Sequence, residues 1–402
     1  MKNYIIIIFL AFGFSVQAQS LDLLLQEALS NNSLLKSKDK EYHNFIESSG
    51  IDSDVKQTKV AFGYFINRPQ TRTGAQVAKL SVSQSFAWFG TALQQERYLM
   101  SQSEIVFQDL VLEQKRVIES VSKQYLSLQF NEAFRKDLAK ERSLLDQLIE
   151  INTESELNNP EVLLELNVEG NSIDQKIYEL EIDFERIAAQ LNLDLGRGPD
   201  DQKIVLSPIL QMPEDLVGID FNWELNPEIK KFDAIQKSLD QSRKLNNYKK
   251  APSISLGLDY VPVAPYEDQH MALSGQDIWM PMLQVNVPIF GGKYREIDKD
   301  ISRKKEQVEL AKVSMEEELE KELLEVLTRR KQLFHRVQTY DDNALLLKQL
   351  LTLKSENLYL DPKGISKFIN LQSRYLETIQ LKHKAMLDFY MIELDLAYLT
   401  GN

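Results

Sequence analysis

The feature that most constrains this chain is that its two halves resemble each other at a fixed offset. Leu256-Gly257-Leu258 lies 194 residues after Phe62-Gly63-Tyr64. Asn226 lies the same distance after Asn32. Because self-similarity at a fixed offset is the signature of a repeated structural unit, the sequence predicts that one unit has been duplicated.

Each half contains a pair of short segments in which apolar and polar residues alternate. A period of two is typical of β-strands that have different surroundings on their two faces. The alternation is clearest in Ser255-Leu256-Gly257-Leu258, where the two leucines alternate with serine and glycine. The predicted strands span about 58–67, 76–87, 252–261 and 278–289.

Each strand pair is followed by a stretch of helical periodicity that contains no proline or glycine over about sixty residues. The first predicted hairpin covers about 91–196 and turns at Asn158-Asn159-Pro160. Sixty helical residues at 1.5 Å each would extend roughly 90 Å. The second hairpin covers about 293–400. Hairpins of this length have little core of their own, so their apolar stripes need neighbours.

The N-terminus has the pattern of a secretory signal peptide. Lys2 precedes the apolar run Ile5–Phe14, and Ala18 ends a small-x-small cleavage motif. The apolar run is shorter than the roughly 20 residues that a membrane-spanning helix needs. We therefore expect residues 1–18 to be removed on export.

Composition excludes several classes of site and partner. The chain has no cysteine, which excludes disulfides, thiolate metal sites and an acylated-cysteine lipid anchor. Its net charge of −13 argues against nucleic-acid binding. The four histidines lack metal-ligand spacing, and Glu316-Glu317-Glu318 is either a cation patch or a solvated helix face. The sequence therefore predicts no enzyme, and no catalytic, cofactor or metal site.

The duplication predicts a division of the chain into four parts. A first repeat spans 19–198, and a second repeat spans 226–402. A proline-containing connector at 199–225 lies between them, and the signal peptide precedes them. Because the smallest membrane barrels have about eight strands, the four strands of one chain could close a barrel only by association.

The strand-to-helix junctions resemble those of the TolC family of outer-membrane efflux channels. Ser83-Gln84-Ser85-Phe86-Ala87-Trp88-Phe89-Gly90 is similar to the family's Ser-Gln-Pro-aromatic junction. Val287-Pro288-Ile289-Phe290-Gly291-Gly292 is similar to its Pro-Leu-Phe-Asp-Gly-Gly junction. The two Leu-x4-Gly endings, at Leu191 and Leu396, also fit. The resemblance covers essentially the whole mature chain.

This resemblance implies a mainly α fold with a membrane β-barrel contribution. It implies a homotrimer in which each protomer gives four strands to one shared 12-stranded barrel in outer-membrane lipid. The duplicated hairpins would form a coiled tunnel across the periplasm of a Gram-negative bacterium. The implied function is a passive efflux duct, gated at its helix tips by a periplasmic adaptor (membrane fusion protein) and an inner-membrane pump. Drugs, metal ions and secreted peptides would share this architecture.

Two other classes of protein stay open at this point. A structural envelope protein could use the same long coiled coils, with its strands forming a local sheet and no pore. A periplasmic adaptor subunit also contains a long helical hairpin beside small β domains. Adaptors usually have one hairpin, so the two hairpins here argue against that class.

A barrel would give the polar faces of the strands a specific position, since they would line its lumen. In a soluble sheet the same face would meet water. Trp88 and Trp279 lie at opposite ends of their strands and are candidates for the aromatic belts of a membrane interface, or for plain packing. The lumen candidates are Lys79, Ser81, Ser83, Ser253, Ser255, Asp259, Gln284 and Asn286.

The second hairpin turn carries the candidates for the pore entrance. The segment Gly364-Ile365-Ser366-Lys367-Phe368-Ile369-Asn370 is similar to the family motif that follows the hairpin tip. In the family two aspartates of this motif ring the closed pore, and here their positions hold Lys367 and Asn370. The alternative is that both residues simply face solvent. The entrance candidates are Asp361, Lys363, Gly364, Lys367 and Asn370.

Overall fold

The computed structural model describes residues 21–51, 58–154, 160–201, 204, 206, 212–213, 223–266, 273–355 and 362–400. The predicted signal peptide, Asn158 and Asn159 of the first turn, Asp361 of the second turn and most of the connector lie outside this described part. Within it the chain is mainly helical, with a minority of strands.

The long helices expected from the sequence are present, and two of them have 64 residues each. The second of these is described as far as Ser355, and its predicted end at about 360 lies outside the described residues. The helices are α1 (Leu21–Asn31), α2 (Ser33–Ile51), α3 (Thr91–Glu154), α4 (Pro160–Asp194), α5 (Pro227–Lys249), α6 (Gly292–Ser355) and α7 (Pro362–Thr400), with a 3-10 turn at Trp223–Leu225.

The described residues contain the four predicted strands and three further short ones. The last strand ends at Asn286, short of the predicted 289, because Pro288 has no N–H to continue a ladder. The first ends at Tyr64 and not at 67. The strands are β1 (Lys59–Tyr64), β2 (Gln70–Thr71), β3 (Gly74–Gln76), β4 (Ala78–Phe86), β5 (Ser253–Val261), β6 (Val263–Ala264) and β7 (Ile278–Asn286).

Four of these strands form one antiparallel sheet in the order β1-β4-β5-β7. The two halves of the chain meet where β4 pairs with β5, with Val82 opposite Leu258. Strands β1 and β7 are the two edges of this sheet. The short strands β2, β3 and β6 form a second sheet that sequence periodicity missed, since segments of two or three residues are too short to show a period.

The paired asparagines of the two halves have the same local role. The Asn32 side-chain oxygen accepts hydrogen bonds from the backbone N–H of Leu34, at 2.9 Å, and of Leu35, at 3.2 Å. The Asn226 oxygen accepts one from the N–H of Glu228, at 2.9 Å. Because the first backbone donors of a helix have no partner inside it, each asparagine caps the helix that it precedes.

The chain forms two compact units, and each draws on both halves of the sequence. The helical unit consists of Met1–Lys36, Glu113–Phe221 and Lys321–Asn402. The sheet unit consists of Ser37–Leu112 and Asn222–Glu320. These spatial units differ in kind from the sequence repeats, whose boundaries remain a prediction.

The helical unit has a hydrophobic core to which both hairpins contribute. Helices α3, α4, α6 and α7 each place side chains in it, so the hairpins share one core. Its buried members are Phe134, Leu138, Leu145, Val162, Leu166, Ile173, Ala344, Ile369, Leu376 and Ile379.

Candidate functional site: a two-faced sheet and the start of helix α7

The four-stranded sheet has one apolar face, and that face is exposed. Cross-strand pairing places Val60 beside Val82, Val82 beside Leu258, and Leu256 beside Leu283. Leu256 is 54% exposed and Leu283 is 70% exposed. A sheet of a soluble protein usually packs its apolar face on the core and exposes its polar face to water. This sheet has the opposite arrangement, because its apolar face is the exposed one.

The other face carries all eight polar lumen candidates. The register puts Ser81 opposite Asp259, Ser85 opposite Ser255, and Ser253 opposite Asn286. The sequence therefore grouped these residues on one face correctly, whereas their position in a lumen is a separate prediction.

Two of the polar candidates form an ion pair. Lys79 Nζ contacts the Asp259 carboxylate, whose side chain is fully buried in the chain. The Ser85 and Ser255 hydroxyls are hydrogen-bonded at 2.7 Å, and Ser255 is also buried. Gln284 is exposed on the same face. The face is thus polar but unequally accessible, and its most central charges neutralise each other.

The two tryptophans lie at opposite ends of the sheet. Trp279 stands near the start of β7, and its ring packs against Tyr260 of β5 with centroids 4.7 Å apart. Trp88 follows the end of β4, which runs parallel to β7 in the sheet order, and its ring meets Phe89 edge-on at 5.8 Å. This placement fits both roles considered for the two tryptophans, a membrane-interface belt and plain packing.

Sequence reasoning missed two aromatic residues at the strand-to-helix junctions. Phe89 is 80% exposed and Phe290 is 90% exposed. Each stands directly before a glycine, and each follows a strand that ends at the same side of the sheet. The repeated Phe-Gly dipeptide was the available signal, since it occurs in both junction motifs.

At the start of α7, the two central entrance candidates share a helix face. Lys367 and Asn370 are exposed and lie three residues apart, so their side chains emerge on the same side. Ile369 and Gln372 are buried on the other side. Lys363 and Gly364 belong to the first turns of α7, and Asp361 lies outside the described residues.

Behind this exposed face, a polar cluster joins α3 to α7. His383 Nε2 is 3.0 Å from Asp137 Oδ2, and this contact lowers the pKa of Asp137. The Gln372 amide nitrogen donates to Glu141 Oε2 at 3.0 Å. Burial raises the pKa of Glu141. The pKa of Tyr375 is also raised, mainly by burial and further by the negative charges of Glu141 and Asp137. Asp137, Glu141, Gln372 and Tyr375 line a cleft of about 490 Å³.

Within the described ranges, no group of three or more histidine, aspartate or glutamate side chains is arranged to hold a metal ion. No described helix combines the length and apolar composition needed to cross a bilayer.

Neither a protein-family model nor a curated protein matches this sequence. Solved structures match it over nearly its whole length. The transmembrane-channel protein CusC is 14% identical, with a TM-score of 0.74, covering 96% of this chain and 93% of CusC. The outer membrane protein VceC of Vibrio cholerae is 13% identical, with a TM-score of 0.69, covering 96% and 97%. The outer membrane channel CmeC of Campylobacter jejuni is 16% identical, with a TM-score of 0.70, covering 95% and 85%.

Because these matches cover 95–96% of this chain, they include both the strands and the long helices. The likeness lies in structure and not in sequence, since identity stays at or below 16% in these three cases. It agrees with the resemblance found at the strand-to-helix junctions. The chain therefore has the fold of the TolC-family outer-membrane channels.

Proposed function

We propose that the chain is one subunit of an outer-membrane efflux channel in a Gram-negative bacterium. It acts as a passive exit duct without chemistry of its own. Its sheet lies in the outer membrane, and its helical hairpins extend into the periplasm. A periplasmic adaptor and an inner-membrane pump bind the hairpin tips and stabilise an open arrangement, with the energy supplied by the pump.

The observation that carries this proposal is the exposed apolar face of the four-stranded sheet. Residues such as Leu256 and Leu283 are more than half exposed, and water is an unfavourable solvent for such a surface. Lipid is a favourable one. In lipid the edge strands β1 and β7 need partners, because unpaired backbone groups are costly there.

Three copies of the chain satisfy both requirements at once. Joining β1 of one copy to β7 of the next gives twelve strands, which is enough to close a barrel. The polar face then lines the lumen, where the Lys79–Asp259 pair contributes no net charge. The same β1-to-β7 contact, repeated around a closed ring, joins the three copies into a cyclic homotrimer.

The start of α7 supplies the entrance in this proposal. Lys367 and Asn370 project from one face, and three-fold symmetry makes each of them a ring of three. A ring of lysines at a narrow mouth disfavours cations and attracts anions. The entrance thus has a polarity opposite to that of an aspartate ring.

The competing class is a structural envelope protein without a pore. The long helices alone are compatible with it, but an exposed apolar sheet face is not expected in a rod surrounded by water. A periplasmic adaptor is disfavoured by the two hairpins and by the full-length match to channel structures.

Single-channel recording separates these classes. Purified trimer is inserted into a planar bilayer, and we expect discrete conductance steps. The matched variant is Gln284→Arg, on the exposed part of the polar face, which should change the step size because it adds a charge inside the lumen. If no steps occur, the channel assignment is wrong. If steps occur whose size Gln284→Arg leaves unaltered, the polar face does not line the lumen.

A further inference from the structure

The contact between Glu141 of α3 and Gln372 of α7 leaves one polar atom without a partner. Gln372 is only 1% exposed. Its Nε2 donates to Glu141 Oε2 at 3.0 Å, but its Oε1 accepts no hydrogen bond from any described residue. A buried amide oxygen without a donor is costly. An ionised Glu141 carboxylate has no hydrogen to donate to it.

The positive charges near Glu141 act on it only from a distance. Lys140 on α3 and Lys348 on α6 line the same cleft, yet neither forms an ion pair with Glu141 within 4 Å among the described residues. Asp137 on α3 adds a negative charge nearby, and it is engaged by His383 and Lys140. Tyr375 on α7 is the remaining titratable neighbour.

A protonated carboxyl group resolves the unpaired oxygen. Its O–H can donate to Gln372 Oε1 while its second oxygen accepts from Gln372 Nε2, which gives a reciprocal acid–amide pair. We propose that Glu141 and Gln372 form a proton-binding site between the two helical hairpins, and that the bound proton tightens the contact of α3 with α7. The proposal stands on the packing of one chain and does not depend on the channel function.

The electrostatics of the site point in the same direction. Burial raises the pKa of Glu141, in spite of the opposing effects of the Gln372 hydrogen bond and the Lys348 charge. A group with a raised folded-state pKa contributes stability that is complete below its unfolded pKa, about 4.3 for glutamate. That contribution is lost as the pH rises through the folded-state pKa.

The neighbouring Asp137–His383 contact acts in a different pH window. The pKa of Asp137 is lowered by the His383 hydrogen bond. Its contribution is therefore present above about pH 3.9 and is lost as the pH falls through the lowered value. Above about pH 4 the Asp137 carboxylate contribution is complete, so a change in stability with pH that Glu141→Gln removes reports Glu141.

Infrared difference spectroscopy of the full-length protein tests the site directly, because a protonated carboxyl group absorbs apart from a carboxylate. Spectra are recorded from about pH 8 downward, and the gain compared is the part that appears above the range where ordinary glutamates protonate. We expect the wild type to gain protonated-carboxyl absorbance, Glu141→Gln to lose that gain, and the exposed Glu150→Gln control to keep it. Equal gains in the wild type and Glu141→Gln would overturn the proposal.

Hydrogen exchange on the wild type alone provides a second test if the substitution impairs folding. Exchange of 137–145 and 369–376 is measured relative to α5, so that the intrinsic pH dependence cancels. We expect the exchange of these two segments, relative to that of α5, to slow as the pH falls. The slowing should be at most about tenfold for each pH unit by which the pKa of Glu141 in the folded state exceeds its pKa in the unfolded state. A pH-independent ratio would contradict the bound proton.

Discussion

At the scale of single residues, positions on one face of the sheet differ in how far they can be changed. Ser255 and Asp259 are buried and bonded to neighbours on β4, whereas Gln284 on the edge strand β7 is exposed. Sequence alternation treats these three positions alike. The cross-strand partners show that only Gln284 offers room for a larger side chain.

The adjacent residues Gln284 and Val285 test which face meets lipid. Val285 is 53% exposed on the apolar face, and Gln284 lies on the polar face. Val285→Arg should lower the free energy of unfolding from lipid by about 2–4 kcal/mol if the position lies near the bilayer midplane. Gln284→Arg should be tolerated. The measurement is urea unfolding in lipid vesicles, and equal costs at both positions would mean that the sheet faces water on both sides.

Lys367 tests the polarity of the entrance. Replacing it by aspartate turns a ring of positive charges into a ring of negative ones, so Lys367→Asp should shift the pore toward cations and create a site that divalent cations block. The readout is the reversal potential across a planar bilayer under a salt gradient. Asn370→Asp is a matched variant on the same helix face. An unchanged reversal potential in Lys367→Asp would remove this residue from the pore.

At the scale of secondary-structure elements, the end of α4 is held against the end of α1. Gly196 has a φ of 75° and donates to the Leu193 carbonyl, while the Arg197 N–H bonds the Asn192 carbonyl at 2.8 Å. These bonds satisfy the last carbonyls of α4. Arg197 then reaches Glu27 of α1, with Nε–Oε1 at 2.6 Å and Nη2–Oε2 at 2.5 Å.

Gly196 is expected to tolerate no side chain. A Cβ atom there would lie 2.8 Å from the Asn31 carbonyl oxygen, and the positive φ would be strained as well. Gly196→Ala should therefore lower the free energy of unfolding by about 1–3 kcal/mol. Gly63→Ala is the control, because nothing lies within 4 Å of its Cβ position. The free energies of unfolding of the two variants are compared by denaturant unfolding in detergent. Equal losses would contradict the close approach of Gly196 to the Asn31 carbonyl oxygen.

The Glu27–Arg197 pair should contribute to stability because both side chains are largely buried and the contact uses two hydrogen bonds. The Glu27 hydrogen bond raises the pKa of Arg197. Glu27→Gln should cost about 1.5–3 kcal/mol. The exposed pair Asp183–Arg186 supplies the comparison, since Asp183→Asn should change stability by less than about 1 kcal/mol. Thermal unfolding of both variants measures the difference.

At the scale of the whole molecule, the described part of the sheet and of the hairpins has surfaces that we expect partner chains to cover. The edges β1 and β7 are open in the described sheet, and the apolar face beside them is exposed. Leucines on the long helices, such as Leu345 and Leu353, are also more than half exposed. Association of copies would cover the edges and these stripes together.

The purified protein is accordingly expected to be a trimer in mild detergent. Three copies of four strands make a barrel of reasonable width, whereas four or eight strands leave edges open or a lumen filled by side chains. Light scattering on the protein–detergent complex gives the mass. A stable monomer that keeps its helix and strand content would contradict the shared barrel and the proposed channel.

Local patterns in the sequence were sufficient to predict the long helices and the four longer strands. Uninterrupted helical periodicity predicted α3 and α6, and the period of two predicted the two faces of β4, β5 and β7. Asn32 and Asn226 marked the starts of equivalent helices because a helix N-terminus needs a side-chain acceptor. Each of these signals depends on neighbours within a few residues, so a sequence contains it directly.

Contacts between distant segments required the tertiary structure. The pairing of β4 with β5, the Glu27–Arg197 bridge and the Glu141–Gln372 contact join residues that are 170 or more positions apart. The burial of Asp259 beneath Lys79 likewise depends on strand register. Glutamate, glutamine and lysine are ordinary surface residues by composition. Only the packing of two hairpins or two strands removes their water and gives them specific partners, because desolvation depends on what the whole chain brings near them.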